Sequence, residues 1–136
     1  MTESKKLRYS DIDVLLNAHK SISKRNNAAK NIFDGETTFR IVKNIRNLTA
    51  ALEPFNEFRN ELVNQYSDGS GAVAIDSPAF PILNKELNER NVVGECVELY
   101  RLDYSKMNGK THPDNEIGAD ELVALFDILD NFEHKE

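Results

Sequence analysis

The sequence predicts a mostly helical α+β domain. A helical hairpin or bundle is expected on one long kinked helix, with a small β element of two or three strands. The main observation is the stretch 38–66, where apolar residues recur in steps of three and four, as in a long helix that buries one stripe. The second is the run 92–102, which is rich in the β-branched and aromatic residues of strands.

The chain has 136 residues, of which 40% are hydrophobic and 29% charged, which suits one soluble domain. We expect this domain over residues 10–132, with residues 1–9 and 133–136 flexible. No apolar run is long enough to predict a membrane span, and the N-terminus lacks the apolar core of a secretory signal. Cys96 is the single cysteine, which is typical of a reducing compartment and of a small buried side chain.

Charge is unevenly distributed along the chain. Residues 1–48 hold ten Lys/Arg against five Asp/Glu, a balance of +5, whereas residues 49–136 hold seven against eighteen, a balance of −11. This asymmetry is compatible with nucleic-acid contact by the basic part or with attraction between the halves, within or between subunits. The net charge of −6 would repel phosphate, so attraction between the halves is favoured.

The first predicted helix begins at Ser10, as an N-cap, and ends near Asn26 and Asn27. Its apolar face contains His19, which we interpret as a structural histidine, because no second ligand-type residue lies at a ligand spacing from it.

The long helix is predicted to start at a Thr37 or Thr38 cap and to bend near Ala50–Pro54, because proline removes one backbone hydrogen bond. Two separate helices are the alternative. The predicted buried stripe consists of Ile41, Ile45, Leu48, Leu52, Phe55, Leu62 and Tyr66.

Four cations on this helix form a candidate interaction or anion site: Arg40, Lys43, Arg46 and Arg59. The first three are spaced as one stripe, which predicts either a phosphate contact or, preferably, a solvated face. Arg59 takes a position in the apolar stripe. It is therefore either buried with an acidic partner, or the helix rotates and Phe58 takes that position.

Residues 67–81 predict a loop with a short strand at 72–75, followed by a third helix that is capped by Ser77 and buries Phe80, Leu83 and Leu87. Asp68, Ser70 and Asp76 lack the spacing of a calcium loop. Gly94 is expected to mark a bulge in strand 92–102, whose predicted partners are residues 72–75, residues 7–9 or another subunit. A flexible loop containing His112 and an amphipathic helix over 119–132 complete the chain.

Motifs for nucleotide binding, zinc or di-iron ligation and redox cysteines do not occur in the sequence. We therefore expect no cofactor, no metal site and no catalytic residues. A Ser-His-Asp arrangement is not testable by spacing, since it forms in space.

The order of these features resembles an uncharacterised family of small proteins encoded in tailed-phage and prophage genomes. The resemblance extends from about residue 10 to residue 129. It is carried by Leu48, Leu52, Phe55, Arg59, Asn60, Leu62, Tyr66, Asn84, Glu86, Leu87, Glu98, Leu99, Ala119, Leu122 and Leu125. It implies a phage origin and a place in the host cytoplasm or the virion, and no particular reaction.

The leading functional hypothesis is a phage accessory protein that binds protein, either as a virion or assembly component or as a self-assembling oligomer. The alternative is a host-defence antagonist that sequesters a small anionic, nucleotide-like ligand or occludes a bacterial enzyme. Nucleic-acid binding by the basic part is a weaker third hypothesis.

Overall fold

Helix α2, Gly35–Tyr66, is the longest element of the protein and runs through Pro54 without interruption. The computed structural model describes residues 2–28, 33–67, 73–107 and 119–130. The single long helix is thus confirmed and the alternative of two helices is wrong, while the bend at Pro54 stays a prediction. Asp34, rather than Thr37 or Thr38, is the N-cap, because its carboxylate accepts the Thr37 backbone N–H at 2.8 Å.

The N-terminal residues correct the prediction of a flexible 1–9 segment. Residues Thr2–Leu7 form strand β1, which pairs antiparallel with strand β2, Glu95–Tyr100. Helix α1 then begins at Tyr9 and extends to Ala28. Ser10 lies inside α1 and is not its N-cap. The backbone N–H of Ser10 donates to the side-chain oxygen of Asn91 at 2.7 Å.

The region 92–102 divides between a helix and two strands. Helix α3, Phe80–Val93, extends through two valines that the sequence assigns to a strand. Gly94 ends this helix at a positive φ of 67°, which glycine adopts readily, and it is a helix C-cap, not a bulge. Strand β2 follows, and strand β3, Leu102–Asp103, comes after it.

The C-terminal part turns from helix to strand earlier than expected. Short helix α4 spans Tyr104–Met107, and helix α5 spans Ala119–Leu125. A 3₁₀ turn over Phe126–Ile128 leads into strand β4, Leu129–Asp130, which pairs parallel with β3. The predicted helix over 119–132 is therefore too long. Of the strand predicted at 72–75, the described residues 73–75 are not in a strand, and the Ser77 N–H closes a turn on the Ala74 carbonyl oxygen.

The predicted α+β class, mostly α, is confirmed: α1 and α2 pack against each other, and α2 packs against strand β2 of a small two-stranded antiparallel sheet. One hydrophobic core joins α1, α2, both sheets and the C-terminal elements. Its fully buried large side chains include Ile12, Ile22, Leu48, Leu99, Leu102, Met107, Leu125 and Ile128. Asp68, Ser70, His112 and the 133–136 tail lie outside the described residues.

We expect Gly94→Ala to lower the free energy of unfolding by about 2 kcal/mol or more, because a residue with a side chain is strained at positive φ. A Cβ there would also overlap the Leu7 carbonyl oxygen of β1. The midpoint of urea unfolding measures the change. Gly35→Ala is the matched control, since a Cβ at Gly35 meets no atom within 4 Å and alanine favours the helix. Equal midpoints for the two variants would contradict the strained C-cap.

Candidate functional site

Asn44 is a buried polar residue that joins α2 to strand β2. Its side chain is fully buried, and its Oδ1 accepts the Tyr100 backbone N–H at 2.7 Å. Its Nδ2 donates to the Tyr100 carbonyl oxygen and to His19 Nε2, both at 3.0 Å. Both amide hydrogens and the amide oxygen are thereby used, so this buried amide is satisfied.

His19 is the second member of this buried network. Its Nδ1 lies 2.8 Å from the Leu15 carbonyl oxygen and donates to it, which leaves Nε2 as the acceptor for Asn44. Burial lowers the pKa of His19 to about 4, although the bond to Leu15 opposes that shift. The interpretation of His19 as a structural histidine is therefore confirmed, and its ring is neutral near pH 7.

The same side of α2 also meets strand β2 further along the strand. Asn47 donates its side-chain N–H to the Glu98 carbonyl oxygen at 3.0 Å. Because backbone groups of alternate strand residues point to the same edge, those of Cys96, Glu98 and Tyr100 face α2. The two asparagines thus occupy the edge of β2 where a third strand would otherwise pair.

Beyond Asn47 this edge opens into a depression of about 460 Å³, which we call the β2-edge groove. Its lining residues are Asn47, Ala50, Ala51, Pro54, Glu95, Cys96, Val97 and Glu98. The Cys96 N–H and C=O and the Glu98 N–H face it, and within the described part of the chain they have no hydrogen-bond partner. The exposed thiol of Cys96 also corrects the prediction that this cysteine is buried.

A second depression of about 450 Å³, the Arg59 cleft, lies where α1, α2 and α3 meet. It is lined by Tyr9, Ser10, Asp13, Leu52, Phe55, Asn56, Arg59, Leu87, Asn88 and Asn91. The rings of Tyr9 and Phe55 are stacked with centroids 4.7 Å apart. Tyr9 donates its hydroxyl to Glu95, and burial together with this bond raises the pKa of Tyr9. Because Glu95 also lines the β2-edge groove, this bond links the two depressions.

The structure does not bring the four predicted cations into one site. Arg40 bonds to Glu36 and to the Arg101 carbonyl oxygen, and it lines a separate pocket of about 180 Å³. Arg46 and Arg59 are thirteen positions apart on one helix, hence about 20 Å along its axis. A small anion therefore cannot contact both within one chain.

Arg59 is exposed, and Phe58 is half-buried against α3, where Arg90 lies over its ring. The prediction of a buried, paired Arg59 is thus wrong, and the alternative in which Phe58 takes the inward position is confirmed. Lys43 is half-buried and Arg46 is exposed; among the described residues neither forms an ion pair. The role of these cations in binding stays a prediction.

Sequence reasoning missed Asn44 and the β2-edge groove. A signal for Asn44 existed, because residues 41, 44 and 48 follow the three-four spacing of the buried stripe. Because Asn44 is polar, the apolar pattern assigned Ile45 to the buried stripe instead, and Ile45 is only half-buried. The groove had no such signal, since it depends on which edge of β2 pairs with β1.

No protein-family model, curated protein or solved structure matches this chain. Over the described ranges, no helix combines the length and the apolar character needed to cross a membrane. The same residues contain no group of three or more histidine, cysteine or acidic side chains placed to hold a metal ion.

We expect acid to destabilise the protein through His19. Its pKa is about 4 in the folded chain, against 6.5 for an unperturbed histidine, so between these values the unfolded chain binds the proton that the folded chain excludes. The contribution of His19 is constant above pH about 6.5, and about 3 kcal/mol is lost as the pH falls towards 4.

Urea unfolding at several pH values between about 7.5 and 4.5 measures this loss. His19→Gln is the comparison, because glutamine keeps a donor and an acceptor and does not titrate. Titration of the carboxylates changes the free energy of unfolding equally in both proteins. The difference between their two plots of unfolding free energy against pH therefore isolates His19. Parallel curves would show that His19 does not carry the effect.

Proposed function

We propose that this protein acts by binding another protein, without catalysis, and that the β2-edge groove receives an extended segment of the partner. The observation that carries this proposal is the set of open backbone groups at Cys96 and Glu98. An extended segment can add to such an edge through main-chain hydrogen bonds, while neighbouring pockets select its side chains.

The groove lining favours a partner segment with small contact residues and positive charge. Ala50, Ala51 and Pro54 leave room for a backbone to approach α2. Glu95 and Glu98 make the lining acidic, and among the described residues it contains no Lys or Arg. A basic, extended segment therefore complements this groove better than an acidic segment or a phosphate does.

The resemblance to small phage proteins suggests that this binding activity belongs to a phage accessory protein that works in the host cytoplasm or in the virion. The partner is then either a virion component or a bacterial enzyme that the protein occludes. In either case the partner would bind in the β2-edge groove, and peptide binding measures that contact.

We expect Ala50→Trp to weaken the binding of basic, extended peptides at least about tenfold, because the indole fills the groove beside Cys96. A library of short random peptides selected on the purified protein supplies the probes, and fluorescence anisotropy measures their affinity. The control is Thr49→Trp, which changes the exposed neighbour outside the groove lining. Failure to select basic peptides, or equal binding by both variants, would contradict the proposal.

A second candidate function is the capture of a small anionic ligand in the Arg59 cleft. Its volume is in the range of small-molecule sites, and Asn56 and Asn88 line it together with the exposed Arg59. Asp13 lies in the same cleft and offsets the charge of Arg59, which is why we place protein binding first.

We expect any such ligand to remain bound during native mass spectrometry and to be lost in a denaturing run. Where no ligand is retained, nucleoside mono- and diphosphates serve as probes. Arg59→Gln should then weaken binding about tenfold or more, because it removes the charge and the forked donors. Arg46→Gln is the control, since it removes an exposed cation elsewhere on α2. Equal loss in both variants would indicate nonspecific attraction and exclude this cleft.

A further inference from the structure

Strand β1 has an outer edge whose direction follows from the contacts of β2. The backbone groups of Tyr100 are bonded to Asn44, so they point away from β1. In an antiparallel pair, residues that exchange both hydrogen bonds alternate with residues that point outward. The β1 residues that bond to β2 are therefore Glu3, Lys5 and Leu7, which lie opposite Leu99, Val97 and Glu95.

Thr2, Ser4 and Lys6 consequently direct their N–H and C=O groups away from the sheet. All three residues are exposed, and within the described part of the chain no strand pairs with this side of β1. Such a row of unpaired backbone groups is a template for strand addition. It is longer than the open part of the β2 edge, and no helix flanks it in the described structure.

We propose that a second copy of this chain pairs with this edge, β1 against β1 in antiparallel orientation, so that two sheets join into one of four strands. The arrangement is a two-fold dimer, in which the same patch serves both subunits. This surface is separate from the β2-edge groove, so the dimer and the proposed peptide binding can succeed or fail independently.

The sequence of β1 selects one register for this pairing. Outward-pointing residues must face each other, which requires an even-numbered residue opposite an even-numbered one. Centring the pair on Ser4 places Thr2 opposite the partner's Lys6 and uses every outward-pointing residue. It also places Glu3 opposite the partner's Lys5, at a pair where the side chains approach most closely.

The neighbouring registers are unfavourable. Centring on Glu3 would put two Glu3 side chains opposite each other, and centring on Lys5 would do the same with two lysines. Like charges directly opposite each other destabilise a strand pair. Lysine often protects an exposed edge from such pairing. In the Ser4-centred register, however, Lys5 lies opposite the partner's Glu3 and no like charges meet. Within one chain Glu3 already lies 3.8 Å from Lys5 and accepts from Arg101, so this register adds an opposite charge to an existing cluster.

The test measures the mass of the purified full chain, tagged at its C-terminus, by native mass spectrometry and by light scattering over a range of concentrations. We expect a dimer of the 15.4 kDa subunit. Ser4→Pro removes only an outward-pointing N–H and should raise the dissociation constant at least about tenfold, since each dimer loses two hydrogen bonds. Ser4→Ala keeps the N–H and should leave the dimer intact.

A cross-linking variant keeps the test valid where proline perturbs the strand. Ser4→Cys, in a Cys96→Ser background, places two thiols at the two-fold axis. The Cα separation of about 5.5 Å in a bonded antiparallel pair suits a disulfide. We expect a covalent dimer under mild oxidation, whereas Ser21→Cys, on an exposed part of α1, should give little. A monomer up to roughly 100 µM, a dimer that Ser4→Pro leaves unchanged, or equal cross-linking by both cysteines would overturn the proposal.

Discussion

The buried amide of Asn44 is the contact on which the arrangement of this protein depends. The Asn44 amide hydrogen-bonds both the N–H and the C=O of Tyr100, as a neighbouring strand would. It also donates to His19 of α1. A buried backbone group without a partner costs about 1–3 kcal/mol, so an apolar residue at this position would destabilise the packing of α2 against β2. One side chain therefore fixes the relative placement of two helices and a sheet.

This placement also determines which backbone groups remain available for binding. The backbone groups of Tyr100 point towards α2. By alternation, the N–H and C=O groups of the even-numbered residues of β2 point towards α2, and those of the even-numbered residues of β1 point away from the sheet. Asn47 satisfies one further carbonyl, after which α2 presents Ala50, Ala51 and Pro54 and the edge opens. The same alternation produces an exposed row at Thr2, Ser4 and Lys6. Both proposed interfaces are thus consequences of how one buried amide orients a two-stranded sheet.

The sequence predicts what depends on local spacing and misses what depends on distant partners. The stripe of α2 was predictable because Ile41, Leu48 and Leu52 repeat at helical intervals and are buried. Strand β1 was not, since the polar residues Thr2–Lys6 become a strand only by pairing with residues 96–100, far along the chain. The α3 C-terminus was misread because Val92 and Val93 have strand propensity, whereas Gly94 and its contact with Leu7 end a helix there. Of the candidate site, Arg59 and Glu98 appear in the sequence patterns, but the open edge does not.

The two open edges differ in the occupant that each can accept. On β1 the outward groups belong to three alternate residues, beside which the described structure has no helix, and Glu3 and Lys5 lie on either side of Ser4 with opposite charges. Such an edge is matched by a copy of itself. On β2 the open backbone groups are those of Cys96 and the Glu98 N–H, in a concave site beside α2 whose lining includes two acidic residues. A second β1 would find few backbone groups to pair with there, whereas a short basic segment with small side chains fits. The shape and charge of each edge therefore favour self-association at β1 and recognition of a different protein at β2, and the two can operate in the same molecule.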